Sequence, residues 1–185
     1  ALRYTQKEGG TEYGFFTASE QDEDFSLGRS YYAGRIKQEN NNKTLGYMIT
    51  YTDDPILDRT AMVNAVDYDH IVNDKLRVSS ILLHSETGNK TSLGYKASLR
   101  YKPTKDDNHN FGVHYYGDDL DINDMGYLQR NDQIKFYNRF EFDRNSYPSE
   151  SLLRSRESNI SVFQTMTTDG KKSPRGVWSL SLIHI

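Results

Sequence analysis

The chain has 185 residues, 35% of them hydrophobic and 12% aromatic, with 14 Tyr against 1 Trp. It contains no Cys, which excludes a disulfide scaffold, a cysteine-based zinc site and a cysteine nucleophile. A formal charge of −3, from 23 basic and 26 acidic residues, argues against nucleic acid as a partner, and no run of about 18 apolar residues offers a transmembrane helix.

In chain order the pattern is β almost throughout. Glu12 to Ser19 is a strand of weak pattern, followed by an acidic connection from Glu20 to Leu27 that carries Asp22, Glu23 and Asp24. Arg29 to Gln38 sets Tyr32, Gly34 and Ile36 against Tyr31, Ala33, Arg35 and Lys37. After the turn Asn40-Asn41-Asn42, Lys43 to Thr52 places Leu45, Tyr47, Ile49 and Tyr51 on one face. Thr60 to Val72 is a further strand, and Asn73-Asp74 a tight turn. Lys75 to Ser85 begins with Leu76 and Val78 and then shifts phase to Ile81 and Leu83, which predicts a bulge near Ser79-Ser80. Thr87-Gly88-Asn89 turns the chain into the cleanest alternation, Ser92 to Lys102. His109 to Gly117, Gln133 to Asp143 and Ser158 to Thr168 complete the set, separated by longer loops at Asp118 to Asn131 and Asn145 to Glu157.

These segments predict an all-β fold: an antiparallel meander of about eight to ten long strands, forming an incomplete, open transmembrane β-barrel. Several strands run about nine to twelve residues, the length a strand needs to cross a bilayer. Successive side chains point to opposite faces, so period-two alternation gives one apolar and one wet face. Leu93, Tyr95, Leu99, Tyr101, Ile134, Phe136, Phe140 and Phe142 are the expected lipid-facing residues, with Asn138 an exception on their face. Lys96, Arg100, Lys135, Arg139 and Glu141 are expected to face the lumen. Tyr suits the interfacial girdle of such a barrel, its ring being apolar and its hydroxyl wet. A wet interior also explains a chain that is polar and aromatic-rich at once. A soluble barrel or sandwich gives the same alternation and is the competing architecture.

The chemistry-bearing residues form no standard motif. Asp119, Asp121 and Asn123 fit the first, third and fifth EF-hand positions, but Asp124 stands where Gly is needed and Arg130 where Glu is needed. The loop Asp118 to Asp124 therefore reads as a solvated acidic loop. His70, His84, His109, His114 and His184 show no metal-ligand spacing. His84 and Ser85 are adjacent in a strand and point to opposite faces, so they make no dyad. Tyr31-Tyr32 and Tyr115-Tyr116 suit a girdle, with sugar stacking as the second reading. No catalytic residue, cofactor or metal site is assigned, and a hydrolase is the minor reading.

Three stretches resemble the outer-membrane barrel, a domain of unknown function, of bacterial proteins that carry an N-terminal family-nine-like carbohydrate-binding domain. They are Ser30 to Lys37 with Thr44 to Thr50, Asn64 to Asp69, and Asp121 to Asp132. In the last, Asp121, Asn123, Gly126, Tyr127 and Arg130 form the family-motif loop. Ile122, Asp124 and Gln129 depart from it, standing for Phe, Pro and Arg. The resemblance implies a Gram-negative outer-membrane location, lipids and lipopolysaccharide as partners, and a structural or transport-related role. A link to glycan binding or uptake would come through a carbohydrate-binding domain outside this chain. The alternative function is a soluble antiparallel β protein that binds a ligand or glycan. The last residues, Leu180 to Ile185, resemble the translation of a transposon-type sequencing adapter, with a natural terminal strand as the competing reading. The expected division is thus a partial barrel domain over 1–179 and a non-native tail over 180–185, the whole a metagenomic fragment.

Overall fold

A computed structural model describes residues 1–22 and 27–185; Glu23 and Asp24 of the acidic connection lie outside the described residues. Among these residues there are eleven strands: β1 (Leu2–Glu8), β2 (Thr11–Ser19), β3 (Ser30–Asn40), β4 (Lys43–Asp54), β5 (Arg59–Asn73), β6 (Leu76–Thr87), β7 (Lys90–Tyr101), β8 (Asp107–Tyr116), β9 (Gln133–Arg144), β10 (Ser155–Met166) and β11 (Lys172–His184). Each pairs antiparallel with its sequence neighbour in one sheet of order β1 to β11, which is open because β1 and β11 do not meet. The predicted meander is therefore present, with β1 and β11 added to the nine segments read from the sequence. The residues from Leu180 to His184 are paired with β10 as part of β11.

Short turns make the meander possible. At Gly9-Gly10 both residues have positive φ (53° and 82°), the conformation that lets a two-residue hairpin follow the strand twist. The Gly10 position has a second constraint, because a Cβ there would sit 2.8 Å from the Glu39 carbonyl oxygen. The β1–β2, β3–β4, β5–β6, β7–β8 and β9–β10 connections turn at one end of the sheet. At the other end lie the loops 55–58 and 117–132.

The bulge predicted at Ser79-Ser80 is absent: β6 keeps continuous register with β7 from Leu76↔Tyr101 to Thr87↔Lys90. The irregularity lies instead in β5, between Ile71 and Asn73, beside the Asn73-Asp74 turn. The apparent phase shift has a different cause. Leu76, Val78 and Leu82 lie on one face of β6, and Ile81 and Leu83 on the other. Both faces of this strand are apolar because each meets a different environment.

One face of the sheet is bare. The register places Tyr13, Tyr32, Tyr47, Val66, Leu82, Leu93 and Phe111 on it together, and all are exposed. The other face holds the small core. Ala65, Leu83, Tyr116 and Leu120 are buried there, with Met48, Ile81, Ile122 and Leu128 packed around them. Leu120 comes from loop 117–132, which lies across this face and is only 1% exposed at that residue. Burying Leu83 and Leu120 contributes roughly 1.5–3 kcal/mol each.

The apolar band on the bare face follows a diagonal. The register line through Leu45 runs through Tyr68, Ser80, Ala97 and Val113 to Phe136. In β4 the band ends at Leu45, with Lys43 next on that face. In β9 it continues past Phe136 to Phe142, six residues on, with Arg144 next.

Candidate functional site

The polar face is where charged side chains converge, and strand pairing decides which of them meet. Arg35 of β3 reaches across β4 to Asp67 of β5, donating to both carboxylate oxygens at 2.9 Å. Gly46 of β4 leaves the room, since a Cβ there would collide with the Asp67 carboxylate. Arg77 holds Asp69 at 2.8 Å, and Arg139 lies 3.6 Å from Glu141. Glu141 also accepts from Asn108. Large rings lie over glycines on the same face, Tyr137 over Gly112 and Phe163 over Gly176. This pairing of bulk with a missing side chain packs a wall that has no second sheet behind it.

The residues expected to face the lumen, Lys96, Arg100, Lys135, Arg139 and Glu141, all lie on this polar face. The eight expected lipid-facing residues share the bare one. Leu93, Tyr95, Leu99, Tyr101 and Phe136 are exposed there. Ile134, Phe140 and Phe142 are half-buried by neighbours, Phe140 by an edge-to-face contact with His109 at 4.7 Å.

Loop 117–132 contains Asp121, Asn123, Gly126, Tyr127 and Arg130, on which the resemblance rests, and is the most constructed feature of the polar face. Its acidic residues are not simply solvated, which corrects the reading of the loop from sequence. Arg59, at the start of β5, forms an ion pair with Asp124 and lies 3.7 Å from Asp121. Lys90 of β7 pairs with Asp119. The Asp121 N–H donates to Ser85 Oγ at 3.2 Å, and Ser85 is 1% exposed. Asn123 Oδ1 accepts from the Leu128 N–H at 2.8 Å and braces the loop internally. Gly126 sits where a Cβ would lie 2.7 Å from the Ile122 carbonyl oxygen. Tyr127 is the exposed tip, at 80%. Among the described residues no group of three or more His, Asp or Glu side chains is placed to hold a metal ion.

Between the docked loop and the sheet is a cleft of about 590 Å³. Lys96 of β7, His114 and Tyr116 of β8, and Gln133 and Lys135 of β9 line one side. Ile122, Tyr127, Leu128, Gln129 and Arg130 of the loop line the other. His114 stands edge-on to Tyr137 at 5.3 Å. The sequence points to Lys96, Lys135 and Arg130 one by one but gives no signal that they share a cleft, because the loop's inward fold depends on Arg59 and Ser85. No family model matches the chain, and the searches of curated proteins and of solved structures also return no match.

Proposed function

We propose that the chain forms part of an integral outer-membrane β-barrel of a Gram-negative bacterium, in a structural or transport-related role. Its bare face meets lipid and its polar face meets a solvated interior. One observation supports this above all: the exposed apolar face runs from Leu2 and Tyr4 in β1 to Ile160 and Val162 in β10. The chain exposes 12644 Å². A compact soluble protein of its 21.4 kDa mass would expose about 9,100 Å². Soluble monomers rarely show contiguous apolar patches beyond a few hundred Å². Lipid accepts such a face at no cost, because acyl chains are as apolar as the side chains themselves. The paired charges of the opposite face suit a hydrated wall. In lipid the free edges of β1 and β11 must be met by further strands, since unpaired backbone groups there cost several kcal/mol each.

The test is fractionation. Expressed with a Gram-negative export signal and together with the strands that complete the barrel, the chain is expected to sediment with outer membranes, and the unboiled gel band to migrate apart from the boiled one. Leu99→Lys, at a 40% exposed position of the bare face, should reduce membrane recovery, with a cost of about 2–4 kcal/mol if the site is near the midplane. Recovery in the soluble fraction would overturn the proposal and favour a soluble sheet whose bare face is covered by a partner.

A further inference from the structure

We propose that the cleft beneath loop 117–132 binds a small organic anion bearing a carboxylate or phosphate group. The inference goes beyond the membrane reading and does not rest on it, because this chain's own loop and strands build the cleft. Its cations have no carboxylate partner among the described residues, as is also true of Arg100 on the same face, but only they converge on one cleft. Elsewhere on the polar face Arg35, Arg77, Arg139 and Arg59 each have a carboxylate within reach. Among the described residues no carboxylate lies within 4.0 Å of Lys96, Lys135 or Arg130, and no acid lines the cleft. Lys96 Nζ instead lies 5.6 Å from the Tyr116 ring centroid, and Lys135 Nζ 5.6 Å from that of Phe163. Asp132 accepts from the Thr168 hydroxyl and N–H and also lies in the field of Arg130, so Lys96 and Lys135 are the cleft's uncompensated charges. Two adjoining grooves carry acids: Asp67 and Asp69 in one, held by Arg35 and Arg77, and Asp118, Asp119 and Asp121 beside Arg130 in the other, where Lys90 pairs with Asp119 and Arg59 lies 3.7 Å from Asp121.

Lys96 and Lys135 repel one another across the cleft, with Arg130 at its rim, and an oxyanion placed between them relieves that repulsion through charge-assisted hydrogen bonds. The space of about 590 Å³ falls in the usual range of ligand pockets, about 300–1,000 Å³. Tyr127, exposed at the mouth, offers ring surface to the body of the ligand. A phosphate or carboxylate on a sugar-sized body matches both halves of this lining.

The experiment titrates the full chain, folded by its circular dichroism, with inorganic phosphate, galacturonate and galactose, and follows heat. The expected result is saturable binding of at least one anion and none of galactose. Comparing phosphate with galacturonate identifies the preferred oxyanion. Affinity should fall at least tenfold in the double variant Lys96→Gln/Lys135→Gln and stay unchanged in Arg100→Gln, which alters the same face outside the cleft. A second measurement needs no variant: the bound anion should slow acetylation of Lys96 and Lys135, read by mass spectrometry, while leaving Lys43 on the opposite face unaffected. Absence of saturable binding by either anion, equal binding of galactose, unchanged affinity in the double variant, or equal acetylation with and without anion would overturn the proposal.

Discussion

Asp132 joins two loops that lie 36 residues apart in the chain. Its carboxylate accepts from the Thr168 hydroxyl and, at 2.9 Å, from the Thr168 N–H. These bonds favour the charged form and hold Asp132 below the usual carboxylate range. Within the β10–β11 turn, the Lys171 ammonium and the Thr167 hydroxyl lower Asp169 to about 2. In both cases the folded value lies below the unfolded one. The stabilisation is therefore complete above the ordinary Asp range and lost as pH falls through the depressed value. Carboxyl carbon shifts followed by NMR at low salt should place the Asp169 midpoint near 2 and that of Asp132 below the value for an unstructured peptide. Replacing Thr168 by Val should raise the Asp132 midpoint. Ordinary midpoints for both would contradict these contacts. Residue chemistry of this kind was poorly legible in the sequence. The run Asp118 to Asp124 showed its charge, but the cation that engages Asp124 is Arg59, 65 residues away, and no local spacing announces it.

At the scale of elements, the alternation of β4, β7 and β9 was plain, because each sets an apolar face against a polar one. In β6 the same reading failed for a physical reason. Ile81 and Leu83 are apolar on the polar face because Leu120 and Ile122 descend onto them from the loop. A strand apolar on both sides looks, from sequence alone, like a strand that has slipped. Gly94 makes the docking possible, since a Cβ there would stand 2.7 Å from Leu120 Cδ2 and 3.4 Å from Leu83 Cβ. Gly94→Ala is therefore expected to lever the loop off the sheet, at a cost of about 1–3 kcal/mol for overpacking. The readout is limited proteolysis, with faster cleavage within 117–132 and the rest of the sheet intact. Unchanged protection would show that the loop is held by its ion pairs and not by Leu120. The terminal strand departs from the general sidedness. Trp178, Leu180 and Leu182 align with Ser161, Asn159 and Glu157 of the polar face.

For the whole molecule, the single meandering sheet was legible because every strand pairs with its sequence neighbour and needs no long-range pattern. β1 escaped notice because Leu2–Glu8 is too polar to show a face until Phe15 and Thr17 pair beside it. The diagonal run of the apolar band has a geometric consequence. A slab of fixed thickness can cut across a flat set of strands at a constant register only if the strands stand upright in it. Here the band's limit moves six residues, from Phe136 to Phe142, over the five strand steps from β4 to β9. At about 3.3 Å per residue and about 4.8 Å per strand, that is roughly 20 Å along the strands for 24 Å across them. The corresponding tilt from the slab normal is about 40°, within the 35–45° that strands adopt when a sheet curls toward closure. Polarised infrared spectroscopy of the protein in oriented bilayers should give an amide dichroism matching that angle, and upright or randomly oriented strands would contradict it. If the proposed membrane setting holds, the sequence encodes an inclination: the stepwise displacement from Leu45 to Phe142 is the trace that a level surface would leave on leaning strands.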